Sequence, residues 1–282
     1  LTSELHGSID AVVSCLPHNA SAAQVAPLLK DGVPVVDVSP SFRLRDIDTY
    51  NQWYGEHPAP EWIADAVYGL TEYHREELRQ SKLVANPGCH AIAAELAIGP
   101  AFAEKLVEPR VIVDSKTGIS GAGRRAEASF AYAEINESVA PYNVAAHRHG
   151  PEIAQELTSI AGVQVEVTFV PHLVPMTRGI LSTTYAQLRD GVTSDDVDSA
   201  YRDRYCGEGF VHLAKVPPHT KWTTGTNHCF VHTVTDETTR TVVAIAAVDN
   251  LGKGAAGSAV QNANLVLGFV ENAGLDAPPS FP

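Results

Sequence analysis

One change of texture constrains the fold of this chain more than any other feature, and it falls at Asn86-Pro87-Gly88-Cys89-His90. Before it, short and fully apolar runs alternate with helical stretches. DAVVSCL (10–16) reads as a buried strand that Pro17 and His18 break. Asn19 can cap a helix through Gln24, Val25, Leu28 and Leu29, which Gly32 stops. PVVDVS (34–39) and residues 82–86 read as further strands, with a polar helix over 71–80 between them. Strands that are apolar on both faces and joined through helices belong to a parallel sheet. Residues 1–88 are therefore expected to form the latter part of a doubly wound sheet.

After Cys89 the pattern is different. A long helix is expected over 91–106, followed by strands over 111–116, 163–170, 180–188, 211–216, 229–234 and 242–248. Several of these alternate apolar and polar residues, as strands with one wet face do. Helices are expected over 151–161 and 194–205, and a last one, rich in Ala and Gly, over 254–270. The overall expectation is α/β: an incomplete doubly wound domain, then an α+β domain with a mostly antiparallel sheet.

The charge balance, 20 Lys+Arg against 33 Asp+Glu, repels phosphate backbones and argues against a nucleic-acid partner. Cys15, Cys89, Cys206 and Cys229 form no CxxC pair, which argues against structural zinc and disulfides and for a reducing, cytoplasmic setting. No apolar run approaches the roughly 18 residues of a membrane span. The chain begins at Leu1 and its one methionine is Met176, so the fold is expected to start in mid-domain.

Five segments carry possible chemistry. The Pro-Gly turn before Cys89 sets it at a helix N-terminus, where dipole and free N–H groups favour a thiolate nucleophile. A small buried residue at a helix start is the competing reading. His147-Arg148-His149-Gly150-Pro151-Glu152 places cationic groups before a helix, serving either as a proton partner or as surface groups near a cap. No third ligand follows at a spacing that would make a zinc site. Arg178 lies in a proline-stiffened connection (169–179), fit to grip an anion or merely part of a rigid crossing. Arg43, in SPSFR (39–43), follows the C-terminal end of a parallel strand, the edge that faces ligands in such sheets. The Gly-rich stretch 116–124 lacks the Gly-Lys-Ser/Thr of a P-loop.

Together VSPSFRL (38–44), YGLTE (68–72), ANPGCH (85–90), SGAGR (120–124), YNVAAHRHGPEI (142–153), FVPHLVPMTRGI (169–180) and VDNLGKGAAGSAVQNANL (248–265) resemble the N-acetyl-gamma-glutamyl-phosphate reductases. The resemblance implies a Rossmann-type dinucleotide-binding domain over 1–88, joined by a C-terminal helix within 250–282, and a catalytic and dimerisation domain over 89–249. It implies NADP(H)-dependent reduction of an acyl phosphate to a semialdehyde in arginine biosynthesis, in a homo-oligomer, dimer or tetramer. Cys89 matches the nucleophile and His147 the acid/base, which passes a proton to the oxyanion after hydride reaches a Cys89 thioester. Arg43, His149, Glu152 and Arg178 match substrate positions. Leu16, Pro17, His18, Thr117, Gly118, Ser120 and Asn250 match cofactor positions, and no metal is implied.

Two departures stand out. Position 90 is His, where Tyr is common in the family, and the Gly-rich first βα turn that holds the pyrophosphate would lie upstream of Leu1. The chain as given is therefore expected to bind NADPH poorly. Two other readings remain open at this stage: a sister reductase acting on an N-acylated aminoadipyl phosphate, and a non-catalytic fragment. Aspartate-semialdehyde dehydrogenase is a more distant resemblance and should lack HRHGPEI.

Overall fold

A computed structural model describes residues 9–123 and 127–280. In chain order its elements begin β1 (Val12–Ser14), α1 (His18–Lys30), β2 (Val35–Asp37), α2 (Ile47–Tyr54), β3 (Ala66–Tyr68), α3 (Thr71–Leu78) and β4 (Leu83–Ala85). There follow α4 (Cys89–Ala103), β5 (Val107–Thr117), α5 (Tyr132–Ile135), β6 (Ala140–Pro141), α6 (His149–Ala161), β7 (Glu166–Leu173) and β8 (Ile180–Leu188). The chain closes with α7 (Ser194–Tyr205), β9 (Val211–Leu213), β10 (Cys229–Asp236), β11 (Thr241–Val248) and α8 (Gly257–Val266).

These elements divide into two compact units, residues 1–87 with 258–273, and residues 88–257 with 274–282. The first unit is built on a parallel sheet of order β1-β2-β4-β3. The two central strands are buried on both faces, β2 ending on the buried Asp37 and β4 apolar throughout. One side of the core gathers Ala22, Val25 and Leu29 of α1 with Val35, Phe42 and Leu83. The other side gathers Val36, Val84 and Leu78 with Ala259 and Leu265 of α8.

The second unit carries a seven-stranded sheet of order β6-β7-β5-β8-β11-β10-β9. It is mixed: β5 and β7 run parallel, as do β9 and β10, while the other neighbours are antiparallel. α4 packs between this sheet and α6 and α7, and from His90 to Phe102 every one of its residues is buried. The opposite face of the sheet presents Ile112, Tyr185 and Val234, all exposed.

Several boundaries differ from expectation for local reasons. α1 starts at His18 behind Pro17, without a side-chain cap, rather than from an Asn19 cap. α2 follows an Asp46 cap that accepts from the Thr49 N–H, and Gly55 ends it. The last helix is not continuous from residue 254. A π-turn over Gly252–Ala256, with Gly254 N–H donating to the Asp249 carbonyl, precedes α8. Glycine at 252 and 254 tolerates that irregular backbone at low cost.

Candidate active site

The turn at Pro87 and Gly88 leads directly into α4, and Cys89 is its first residue. Gly88 is the N-cap and offers no side chain to cap the helix, so backbone N–H groups of the first turn face the thiol's end of α4. The Gly88 N–H donates to Glu152 Oε1 at 2.7 Å. Glu152 is buried in the first turn of α6, and its other oxygen lies 4.0 Å from His149 Nε2. Gly254 backs Cys89: a Cβ there would stand 2.9 Å from the Cys89 Cβ and 3.1 Å from the Asp249 carbonyl oxygen.

Three imidazoles cluster in this unit. The ring of His90 lies 5.8 Å from that of His147 and 5.4 Å from that of His149, while His147 and His149 stand 4.8 Å apart. Phe169 of β7 walls all three. His147 Nδ1 accepts from the His149 backbone N–H at 3.2 Å, so a neutral His147 carries its proton on Nε2. Burial first, and the Arg148 charge second, push the His147 pKa down to about 4. Burial, with His147 beside it, pushes His90 down to about 3. Both enter any chemistry near neutral pH as uncharged rings.

The Gly-rich loop after β5 is zipped to the connection that carries Arg178. Gly118 N–H donates to the Gly179 carbonyl, Ile119 N–H to Met176 and Ser120 N–H to Thr177. A side chain at 118 would strike the Thr177 carbonyl at 2.8 Å, which explains glycine there. Asn250 clamps both loops, accepting from Gly179 N–H at 2.8 Å and donating to Ser120 Oγ at 2.9 Å. Arg178 is held bidentately by the buried Asp249, Nε to Oδ1 at 3.1 Å and an Nη to Oδ2 at 2.8 Å. Its side chain remains 35% exposed, leaving N–H groups for an incoming anion. Arg124, at the end of the Gly-rich stretch, lies outside the described residues.

The second unit therefore brings together Cys89, His147, His149 and Glu152, and separately Thr117, Gly118, Ser120, Arg178 and Asn250. Leu16, Pro17, His18 and Arg43 belong to the first unit. There Arg43 is buried, its Nε donating to the Asn86 carbonyl at 2.8 Å and an Nη to the Val38 carbonyl at 2.7 Å. It pins the ends of two parallel strands. Cys15 and Pro17 are exposed where β1 gives way to α1, and the uncapped start of that helix offers N–H groups at the ligand-facing edge of the sheet. Those donors fit the anionic phosphates of a dinucleotide. Among the described residues no group of three or more His, Cys, Asp or Glu is placed to hold a metal ion.

Sequence reasoning missed Asp249, Ser115, Tyr142 and Gly254. Asp249 adjoins Asn250, and Tyr142 stands in the same segment as His147, so adjacency was the available signal. Nothing in the sequence pairs Ser115 with position 90.

Comparisons with known proteins agree with this geometry. A semialdehyde dehydrogenase NAD binding domain model matches residues 2–81, and a semialdehyde dehydrogenase dimerisation domain model matches residues 89–250. An N-acetyl-gamma-glutamyl-phosphate reductase of Dehalococcoides mccartyi is 48% identical over 284 residues, covering 100% of this chain and 83% of that protein. One of Heliobacterium modesticaldum is 46% identical over 282 residues, covering 97% of this chain and 80% of that protein. Among solved structures, aspartate semialdehyde dehydrogenase II of Vibrio cholerae superposes with a TM-score of 0.70 at 19% identity, covering 91% of this chain and 79% of that one. The Candida albicans aspartate semialdehyde dehydrogenase with NADP gives 0.65 at 14% identity, covering 91% of this chain and 77% of that one. At such identities the superpositions establish the fold alone.

Proposed function

The chain belongs to the N-acetyl-gamma-glutamyl-phosphate reductase family, and from that premise we propose how its residues carry the NADPH-dependent reduction of N-acetyl-gamma-glutamyl phosphate to N-acetylglutamate 5-semialdehyde and phosphate, a step of arginine biosynthesis. One observation carries the reading: Cys89 opens α4 behind a cap without a side chain, and the ring of the next residue, His90, lies against His147 and His149.

The Cys89 thiolate attacks the acyl carbon, the bond from that carbon to the phosphate oxygen breaks, and a thioester remains. First-turn N–H groups of α4 stabilise the charge that develops on the carbonyl oxygen. His147 begins neutral, and the negative charge of an acyl phosphate raises its pKa. Its Nε2–H donates a hydrogen bond to the departing phosphate, which leaves with the bonding electron pair and takes its proton from solvent. When bound, NADPH would supply the hydride needed to reduce the thioester. The resulting oxyanion accepts a hydrogen bond from His147 Nε2–H, re-forms the carbonyl and releases the thiolate, so charge and electrons balance. Phe169 shields the imidazoles from water, which protects the thioester from hydrolysis.

His149 and the exposed N–H groups of Arg178 receive the substrate's anionic groups. Glu152 orients the Gly88 end of the turn, and Arg43 acts as a positioning residue through the Asn86 carbonyl. Leu16, Pro17 and His18, with Thr117, Gly118, Ser120 and Asn250, would hold the dinucleotide. The exposed sheet face around Ile112, Tyr185 and Val234 is the surface on which a second copy of the chain docks, a reading supported by the match to a dimerisation domain. A cytoplasmic setting is supported by a sequence whose four cysteines form no disulfide framework.

The test runs the reaction backwards. NADP-dependent oxidation of N-acetylglutamate 5-semialdehyde should require inorganic phosphate and should exceed oxidation of the one-carbon-longer aminoadipate analogue. A preference for the longer substrate would overturn the substrate assignment.

A further inference from the structure

We propose that Ser115 and His90 form a positioning chain that fixes the Tyr142 hydroxyl as a second proton-bearing donor in the nucleophile's site. The proposal rests on Cys89 as nucleophile and extends that reading to three residues outside it.

The geometry comes first. His90 follows the nucleophile in α4 and is buried. Its Nδ1 lies 2.7 Å from Ser115 Oγ on β5, and its Nε2 lies 3.1 Å from the Tyr142 hydroxyl oxygen. Both ring nitrogens are thus engaged, and the ring is flanked by His147, His149 and Phe169. Arg148, beside His147, is the nearby cation in the same segment.

Proton accounting then selects a tautomer. Among the described residues, Ser115 Oγ has one hydrogen-bond partner, His90 Nδ1. Ser115 is fully buried, so a hydroxyl proton pointed anywhere else would be lost to hydrogen bonding. Ser115 therefore donates to Nδ1, and the neutral His90 keeps its proton on Nε2. That N–H donates to the Tyr142 oxygen. The Tyr142 proton, not consumed by His90, is left to point elsewhere. In the opposite tautomer Tyr142 would donate to His90 and bring no proton to the site.

Two electrostatic facts agree. His90 stays uncharged, with its pKa near 3. Tyr142 is held well above the ordinary phenol range by burial first and by the charge of Cys89 second. The phenol is thus a neutral donor that senses the sulfur.

Side-chain geometry provides the experiment. Gln at 90 places an N–H near the Nε2 position and keeps the donation to Tyr142. Asn places its amide near Nδ1 and cannot reach Tyr142. We expect Tyr142→Phe and His90→Asn each to lower kcat about tenfold, with KM within twofold, and the double variant to be no worse than either single one. His90→Gln should recover most of the loss. Ser115→Ala, which frees Nδ1 to take the proton, should fall between, about threefold, and it tests the chain even if position 90 tolerates no change. The pH profile of Cys89 alkylation by iodoacetamide should shift upward in Tyr142→Phe and His90→Asn together. Multiplying losses in the double variant, or equal effects of Gln and Asn at 90, would overturn the proposal. A Cys89→Ser control decides the underlying reading: inactive, it leaves only the positioning chain in question, and active, it sinks both.

Discussion

The two units bury polar groups to opposite ends. In the first, Asp37 accepts from Ser21 Oγ at 2.7 Å, from Ser39 Oγ at 2.7 Å and from Ser39 N–H at 3.0 Å, and Ser14 continues the chain to Ser21 at 2.8 Å. Asn262 likewise spans Gly69, Thr71 and Asn86. These networks close on themselves and hold strand ends in register. In the second unit the imidazoles of His90, His147 and His149 pack on one another and on Phe169; burial keeps His90 and His147 uncharged, and the His147 proton on Nε2 has no acceptor among the described residues. A saturated buried network specifies architecture, whereas one with a proton to spare beside a nucleophile can do chemistry.

The hardest way to break this contrast is to remove the sulfur. Cys89→Ser should lower phosphate-dependent semialdehyde oxidation by about a thousandfold or more. The thermal midpoint should stay within about 2 °C, read by circular dichroism. The reciprocal change lies in the first unit. Asp37→Ala removes the acceptor shared by Ser21 Oγ, Ser39 Oγ and the Ser39 N–H and should cost about 1–3 kcal/mol of stability in urea titration. Per folded molecule, alkylation of Cys89 should be unchanged, and a slowed alkylation would mean the two networks are not separate in purpose.

A third change sharpens the comparison inside the second unit. Gly254→Ala adds a methyl 2.9 Å from the Cys89 Cβ, a contact that forces the nucleophile to move. We expect kcat to fall roughly tenfold to a hundredfold with little change in urea midpoint. A stability loss with unchanged kcat would make Gly254 purely architectural.

The smallest effect is on pH. His90 and His147 have folded pKa values near 3 and 4, below the unfolded value of 6.5. As pH falls below about 6.5 the unfolded chain binds protons that the folded one refuses, so stability declines, up to about 1.4 kcal/mol per pH unit for each ring. The His147 share of that decline should run from about pH 6.5 down to 4 and be absent in His147→Asn, while His57, His90, His212 and His228 keep theirs. Identical profiles for that variant and the parent would show that His147 is not held neutral.

Much of this was legible in advance. The short runs at 35–37 and 83–85, joined through helices, announced strands of a parallel sheet, and the alternation over 180–188 announced one open face. Cys89 stood out because Asn-Pro-Gly is turn chemistry before a helix. Arg43 stands at a strand end, where its guanidinium reaches the Asn86 and Val38 carbonyls, and no local pattern in the sequence foretells those partners. α2 was overlooked although Asp46 and Thr49 form a cap and Gly55 a stop.

What the sequence determined by itself is therefore what short range determines: backbone period, turn residues, the helix start under Cys89 and the order of motifs that mark the family. What only the tertiary structure decided is pairing across the chain. Asp249 locks Arg178 from 71 positions away, Ser115 meets His90 from 25, and Tyr142 meets the same ring from 52. A hydrogen bond depends on the separation of two atoms in space, to which distance along the chain is blind, and the burial that keeps His90 and His147 neutral exists only once β5, β7 and α4 have come together.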